Sequence, residues 1–273
     1  MKRRLAAILF AILGSAATAD PSGLRAFVTG DDSRGWDAVG RLDIANEAFC
    51  TGALISETLV LTAAHCLFDS ETGERYPDDA IEFRAGWRNG RAAAYRAVRR
   101  SVVNPAYDFG GANRPARVAA DLALLELATP VRKSTVVPFG TGARPRKGGE
   151  VSVVSYGRDR AAAASIQERC KVLARQQGAL VLNCTVEHGS SGSPIFVIED
   201  GVPRIVSVIS AKAHLRDLPV SLGTTLDDTL ERLKAELALS DGYFTPVRGS
   251  LPSVAPRSGG AAGSAKFVRP SGS

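Results

Sequence analysis

The chain is poor in the residues that build metal centres. It has three histidines and four cysteines among 273 residues, and it contains no Cys-x-x-Cys or His-x-x-x-His spacing. Zinc sites are usually built on such close spacings, so the sequence predicts neither a metal site nor a cofactor. Long apolar runs are also missing, because no stretch reaches the length of a membrane span. We therefore expect no stable membrane anchor.

A strong charge of one sign is missing as well. Lysine and arginine number 34 against 28 aspartates and glutamates, a formal charge of +6, and aromatic residues make up 6% of the chain. The basic residues are scattered rather than grouped with aromatics, so the sequence predicts no nucleic-acid binding. The arginine-rich stretch from Arg84 to Arg117 is expected to be a solvated face.

Residues 1–19 have the pattern of a secretory signal peptide. A basic segment, Lys2 to Arg4, precedes an apolar run, Leu5 to Leu13, and Ala17-Thr18-Ala19 supplies the small residues before a cleavage point. The apolar run is too short for an anchor across a bilayer. We expect an exported protein, secreted or periplasmic, that acts as a monomer.

The four cysteines fall into two close pairs, Cys50 with Cys66 and Cys170 with Cys184. An even number together with an export signal favours two disulfides over metal ligation or reduced thiols. Each bridge would close a loop of about 15 residues and stabilise the folded state by about 3 kcal/mol in the chain-entropy model.

Short apolar and β-branched runs recur along the chain and are separated by Gly, Pro, Asn and Asp. The first half shows no sustained helical period, and the crossover helices that a parallel sheet needs are not offered. The pattern predicts an all-β fold. Strands are expected at 49–55, 58–62, 81–87, 95–103, 121–127, 151–156, 169–174, 180–186, 194–198 and 204–210.

One segment, from Glu187 to Phe196, reads EHGSSGSPIF. Glycine permits backbone dihedrals that other residues resist, so this turn can expose a serine hydroxyl while neighbouring N–H groups converge on one point. An acyl-transfer enzyme needs that combination. A Gly/Ser loop between two strands has the same composition, so the segment is informative only if a base and an acid are found elsewhere.

Two further segments supply those partners. A strand that begins at Leu59 ends in small residues and His65, and a neutral imidazole acts as a base near pH 7. Asp121 opens an apolar strand, where a carboxylate needs a hydrogen-bonding or charged partner such as an imidazole N–H. A structural role for His65 and a solvated Asp121 are the alternatives, and Asp108 is the rival acid.

Three segments resemble the motifs of chymotrypsin-like (trypsin-like) serine proteases. They read TAAHC from Thr62 to Cys66, DLALL from Asp121 to Leu125 and GSSGSP from Gly189 to Pro194, in that family's order of His, Asp and Ser. The SSGSP form is similar to the bacterial branch that includes V8-type glutamyl endopeptidases. The resemblance covers about residues 34–240. It implies two six-stranded antiparallel β-barrels with the active site between them.

The resemblance also implies a role for each motif residue. Ser191 would be the nucleophile, His65 the general base and then the general acid, and Asp121 the carboxylate that orients the imidazole. The N–H groups of Gly189 and Ser191 would form the oxyanion hole.

The neighbouring hydroxyls of Ser190 and Ser193 are disfavoured as nucleophiles, because the nucleophile directly precedes Gly192 in the motif. Many animal members of the family carry an aspartate, which binds a newly freed N-terminus, where this chain has Ser190. We therefore expect an oxyanion loop that does not depend on that ion pair.

Substrate preference is left open by the sequence. Trypsin-like members that cleave after Arg or Lys have an aspartate at the position of Thr185, which argues against that preference here. The strand from Val208 to Lys212 is expected to wall the P1 pocket. The candidate substrate-binding residues are Thr185, His188, Ile209, Ser210 and Ala211. An inward Lys212 or His214 would favour an acidic P1 residue, although an outward Lys212 is expected because unpaired charges are rarely buried.

The residue patterns and the resemblance together divide the chain into four segments. These are the signal peptide (1–19), a barrel carrying the histidine and the aspartate (20–138), a barrel carrying the serine (139–240) and a disordered tail rich in Gly, Ser and Pro (241–273). The second barrel is expected to end in an amphipathic helix over 225–239. Thr225 and Asp228 resemble a capping pair at its start. One face of the helix carries Leu226, Leu230, Leu233 and Leu237. This helix is expected to pack against the second barrel, with a partner-binding helix as the alternative.

The function that follows is that of an exported serine endopeptidase acting on protein or peptide substrates. A catalytically silent homologue that uses the cleft as a binding module is the alternative from a different class. An esterase on the same scaffold would share the chemistry.

Overall fold

The computed structural model describes residues 23–176 and 178–240. The expected signal peptide and the expected tail lie outside the described residues. Strands dominate the described chain, and two short stretches are α-helical.

Six antiparallel strands close into the first barrel. Strand alternation explains its interior: Ile81, Phe83 and Ala85 are buried, whereas Glu82 and Arg84 between them face outward and are partly exposed. The strands follow the order β2-β3-β4-β7-β6-β5 and are β2 (Val39–Ile44), β3 (Ala48–Leu54), β4 (Leu59–Thr62), β5 (Ile81–Ala85), β6 (Ala94–Val103) and β7 (Ala123–Leu127).

Six more strands form the second barrel, which closes where the strand from Glu150 pairs with the strand from Ser165. Its interior is a separate apolar cluster that includes Val153, Leu180 and Ile195. The strands are β9 (Glu150–Ser155), β10 (Ser165–Gln176), β11 (Ala179–Leu182), β12 (Pro194–Glu199), β13 (Val202–Leu215) and β14 (Leu218–Thr225). The predicted all-β fold of two six-stranded barrels is confirmed.

Several elements were not predicted. The short helix α1 (Arg114–Ala120) begins at an N-cap, Asn113, whose side chain accepts the Ala116 N–H at 3.2 Å. A helix of two turns is too short to show a period in the sequence. The other unpredicted elements are the short strands β1 (Leu24–Ala26) and β8 (Gly140–Thr141), strands β2 and β14, and 3₁₀ turns at Ala64–Leu67, Asp78–Ala80 and Arg158–Arg160.

The C-terminal helix α2 (Asp227–Ser240) buries the leucine face that the sequence predicts. The surface it covers was predicted wrongly, because the strands that α2 packs against are β6 and β7 of the first barrel. The predicted capping pair is also wrong, since Thr225 is the last residue of β14 and the helix begins at Asp227. A leucine stripe shows which face is buried but not which surface covers it.

The two ends of the described chain each join the barrel that is distant in sequence. Strand β1 pairs with β10 of the second barrel, with Leu24 opposite Gln167, while α2 packs on the first. Strand β8 runs parallel to β13.

Two disulfides are present, Cys50–Cys66 and Cys170–Cys184, in the pairing that the sequence predicts. The first joins β3 to the turn that follows β4, and the second joins β10 to the segment after β11. Within the described ranges, no helix is long and apolar enough to cross a membrane.

Candidate active site

A cleft between the two barrels brings together the three residues singled out by the motifs. His65 lies in the 3₁₀ turn directly after β4, and Asp121 lies between α1 and β7, so the first barrel supplies both. Ser191 lies in the turn before β12 of the second barrel. His65 and Ser191 line the same cavity, of about 390 Å³.

The Asp121 carboxylate holds the imidazole of His65. Its Oδ2 lies 2.7 Å from His65 Nδ1, and its Oδ1 accepts the His65 backbone N–H at 2.8 Å. The Ser210 hydroxyl also donates to Oδ2, at 2.5 Å. Because Asp121 is buried, at 3% exposure, these donors compensate for its lost hydration. Nδ1 therefore carries the ring proton, and Nε2 is left as the basic nitrogen. The rival acid, Asp108, is exposed.

Two opposing effects set the pKa of His65. Desolvation of the ring lowers it, but the charge of Asp121 and its hydrogen bond together outweigh that effect, so the pKa is raised above its ordinary value. The Arg117 guanidinium acts in the opposite direction and lowers it slightly. A raised pKa means that the ring accepts a proton more readily than a free imidazole does.

The turn around Ser191 depends on two glycines in the left-handed region. Gly189 has φ +94° and Gly192 has φ +77°. A Cβ on Gly189 would lie 2.3 Å from the Phe49 ring, and one on Gly192 would lie 2.1 Å from the Thr62 hydroxyl oxygen. Only glycine fits both the dihedrals and the space.

Two backbone N–H groups of this turn are not used by hydrogen bonds within the described structure. Across 23–176 and 178–240, neither the Gly189 nor the Ser191 N–H donates a hydrogen bond to the protein. Their carbonyls are engaged instead: Ser191 O accepts the Thr51 N–H at 2.9 Å, and Gly189 O accepts the Thr51 hydroxyl at 2.8 Å. The two N–H groups are therefore available to an oxygen of a ligand.

Ser190 holds the turn through the hydrogen bonds of its hydroxyl. It is fully buried, and its hydroxyl donates to Tyr156 O at 3.0 Å while accepting the Glu187 N–H at 3.2 Å. The Arg160 guanidinium donates to the same oxygen at 3.2 Å. The turn is thus held by hydrogen bonds to a neutral hydroxyl, one of them from the Arg160 guanidinium, at the position where many animal members of the resembled family carry an aspartate.

The predicted substrate-binding residues are only partly brought together. Ser210 and Ala211 line a second cavity, of about 550 Å³, beside His65 and Asp121. His188 is exposed and lines the cavity that contains Ser191.

The other two candidates lie elsewhere. The Ile209 side chain is buried in the second barrel's core, and its main chain bonds the Ser191 turn, donating to Ser193 O at 2.9 Å and accepting the Gly192 N–H at 2.8 Å. Thr185 is outside both cavities and donates its N–H to the Gln167 side chain at 2.7 Å.

The cations near the expected P1 pocket face outward. Lys212 is exposed and its Nζ lies 3.1 Å from a Glu187 carboxylate oxygen, while His214 is exposed. The prediction that Lys212 points outward agrees with this contact. Cys50, His65 and Cys66 cluster within 4.8 Å, but the two sulfurs are bonded to each other and are not thiolate ligands.

Sequence reasoning missed several residues around this site. Thr51 holds the turn at Ser191, Phe49 packs beneath Gly189, and Arg114 and Arg117 line the larger cavity. The Asn113 cap followed by Pro115 is the one local signal that could have placed α1, and with it the two arginines, at the cleft.

Comparisons with known proteins agree with the fold and identify the family. The family model for the trypsin-like peptidase domain matches residues 50–203. An uncharacterised peptidase of Corynebacterium glutamicum (strain R) is 27% identical over 182 residues, which cover 62% of this chain and 56% of that protein. Trypsin of Sarcophaga bullata is 35% identical over 91 residues, covering 33% of this chain and 32% of that protein.

Serine protease 23 of Bos taurus is 30% identical over 167 residues, which cover 54% of this chain and 43% of that protein. The chain thus spans about a third to rather more than half of each of these relatives. A solved structure of a Glu endopeptidase superposes with a TM-score of 0.65 at 16% identity, covering 79% of this chain and 97% of that one. At that identity the likeness concerns the fold alone.

Proposed function

The chain belongs to the family of trypsin-like peptidase domains, and from this premise we propose that it is an exported serine endopeptidase. It cleaves peptide bonds through Ser191, His65 and Asp121 by way of an acyl-enzyme. The observation that carries the proposal is the 2.7 Å contact between His65 Nδ1 and Asp121 Oδ2, in a cleft that also holds Ser191 and two unoccupied N–H groups.

The chemistry follows from the placement of these groups. His65 Nε2 takes the proton from the Ser191 hydroxyl as its oxygen attacks the scissile carbonyl. The carbonyl oxygen becomes negatively charged and accepts hydrogen bonds from the backbone N–H groups of Gly189 and Ser191. The carbon–nitrogen bond then breaks as His65 gives the proton to the leaving amine, which leaves Ser191 as an acyl ester. Water attacks this ester with His65 again as base, and the ester bond breaks as His65 returns the proton to the Ser191 oxygen. Asp121 stabilises the imidazolium in both halves.

Export is part of the proposal. Two disulfides fit an oxidising compartment such as the bacterial periplasm or the extracellular space. The pattern of residues 1–19 supplies the signal for it.

The test is covalent labelling with a fluorophosphonate probe, followed by peptide mapping with mass spectrometry. We expect labelling at Ser191, its loss in Ser191→Ala, and its retention in Ser193→Ala. The Ser193 hydroxyl is buried and has no hydrogen-bond partner in the part of the chain that the structure describes. Turnover of a peptide library by the wild-type protein completes the test.

Two outcomes would contradict the proposal. Folded, disulfide-intact protein that does not label would favour the silent binding homologue. Protein that labels and hydrolyses small esters, but cleaves no peptide, would favour the esterase.

A further inference from the structure

Helix α1 places two arginines at the larger cavity of the cleft. Arg114 and Arg117 both line the cavity of about 550 Å³ that is also lined by His65, Asp121 and Ser210. Arg117 is half-buried, and one of its terminal nitrogens donates to Gly111 O at 3.3 Å. Its Nε is buried and has no acceptor among the described residues. A terminal nitrogen of Arg114 donates to Lys212 O at 3.2 Å.

Neither arginine has an acidic partner among the residues that the structure describes, since no carboxylate oxygen lies within 4.0 Å of either guanidinium. Asp121 is the one acid lining this cavity, and both of its oxygens are bonded by His65 and Ser210. Asp108, in the adjoining loop, is exposed and does not line it.

The positive character continues on the other side of α1. A third cavity there, of about 500 Å³, is lined by Arg114 as well, together with Lys212 and His214. The Lys212 charge is compensated by Glu187 at 3.1 Å. The arginines of α1 are therefore the permanently charged groups of this region that lack a carboxylate.

We propose that Arg117, with Arg114 at the rim, binds an acidic side chain of the substrate on the N-terminal side of the scissile bond. Ser210 and Ala211 lie on the strand expected to wall the P1 pocket, so the cavity beside them is on that side. This inference rests on the proposed function and specifies its substrate class, peptides with Asp or Glu at one of the positions P2 to P4.

The chemistry of the guanidinium supports an acidic residue. A carboxylate would receive charge-assisted hydrogen bonds from its terminal N–H groups, which are stronger than those to a neutral amide. It would also neutralise a charge that is partly removed from water. A substrate lysine in the same place would be repelled, so the arginines act in selection as well as in binding.

The test compares paired quenched-fluorescence peptides that differ only by Glu or Gln at P2, P3 or P4. At one of these positions we expect kcat/KM to be about tenfold higher for the Glu peptide than for the Gln peptide, which corresponds to one charge-assisted hydrogen bond. This ratio should fall as salt is added. In Arg117→Gln the ratio should approach one, and in Arg114→Gln it should decrease in part. With a third peptide that carries Lys at the same position, Arg117→Glu should prefer the Lys peptide to the Glu peptide.

The matched control is Arg232→Gln, which removes the same charge from an exposed position of α2 that lines none of the three cavities, and it should leave the ratio unchanged. Because the ratio compares two substrates in one variant, any effect of the substitution on His65 cancels. If Arg117→Gln does not fold, the Arg114→Gln variant and the salt dependence still show whether the arginines of α1 cause the preference for Glu.

An active, probe-labelled enzyme with equal kcat/KM for every Glu and Gln pair would overturn the inference and leave the proposed function standing. A Glu preference that survives in both Arg117→Gln and Arg114→Gln would overturn the assignment to α1. Absence of labelling and of peptide cleavage would instead show failure of the proposed function itself.

Discussion

The Thr51 hydroxyl donates a 2.8 Å hydrogen bond to the Gly189 carbonyl, so a strand of the first barrel holds the turn that carries Ser191 in the second. Thr51 is fully buried, and its Oγ1 also accepts the Tyr156 N–H at 3.1 Å. Its own N–H donates to Ser191 O at 2.9 Å. One side chain and its backbone thus fix the turn relative to β3 and to the end of β9.

Replacing Thr51 by valine keeps the shape and removes the hydroxyl. The Gly189 carbonyl and the Tyr156 N–H then lose their partner in a buried place, at a cost of about 1–3 kcal/mol for each unsatisfied group. We expect kcat to fall about tenfold to a hundredfold with little change in KM, because the turn moves relative to His65. Thr51→Ser should restore kcat. Steady-state kinetics and urea unfolding of both variants give the test, and a serine variant as slow as valine would contradict it.

Asp121→Asn should fold but hold the imidazole in the wrong tautomer. An asparagine nitrogen facing Nδ1 would donate to it and leave the proton on Nε2, so kcat should fall by roughly 10⁴. Asp108→Asn is the control, and the exposed position of Asp108 predicts normal activity. Loss of activity in the control, with a near-normal Asp121→Asn, would move the role of the acid to Asp108.

The pH profile should reflect the raised pKa of His65. Only the neutral ring accepts a proton, so kcat/KM should fall as the pH drops below that pKa, and the midpoint should lie above the ordinary value of 6.5. Arg117 opposes protonation of the ring, so Arg117→Gln should move the midpoint to higher pH. A midpoint below 6.5, or a shift to lower pH in the variant, would contradict this reading of the site.

The two disulfides allow a matched comparison. Replacing Cys50 and Cys66 together by serine should cost about 3 kcal/mol of stability, and so should the double replacement of Cys170 and Cys184, because the two loops are of similar length. Activity should fall much further for the first pair, since Cys66 is adjacent to His65. Equal loss of activity in the two folded variants would show that the first bridge does not position the imidazole.

Much of the fold could be predicted because strand alternation survives in the sequence, as in β5. Strand β2 was missed because Arg41 and Asp43 interrupt its apolar pattern. The structure compensates those charges by an ion pair between them, at 2.7 Å, and by Arg84 of β5, 3.2 Å from Asp43. A neighbouring strand provides that compensation, and no local pattern reveals it. For the same reason the arginine-rich stretch is not simply the solvated face that was expected, since Arg84 and Arg117 are partly buried.

The candidate site was likewise predictable in part. Residue types and order single out His65, Asp121 and Ser191. The Ser210 hydroxyl on Asp121 comes from 89 residues further along the chain, and its contact depends on how the barrels meet. The residues of a substrate pocket were least predictable, because Ile209 lies in the right strand and yet turns its side chain into the barrel core.

The exchange of terminal elements between the barrels has a consequence for synthesis. Strand β1 lacks its partner until Ser165 to Gln167 have been made, and the first barrel's apolar cluster lacks its cover until Leu237 is available. A growing chain therefore has all strands of the first barrel before the helix that covers them, and it can neither pair β1 nor complete the second barrel until much more of the described chain has been made. Such a delay suits the export that we propose, because a chain that has not yet folded can be threaded through a narrow channel.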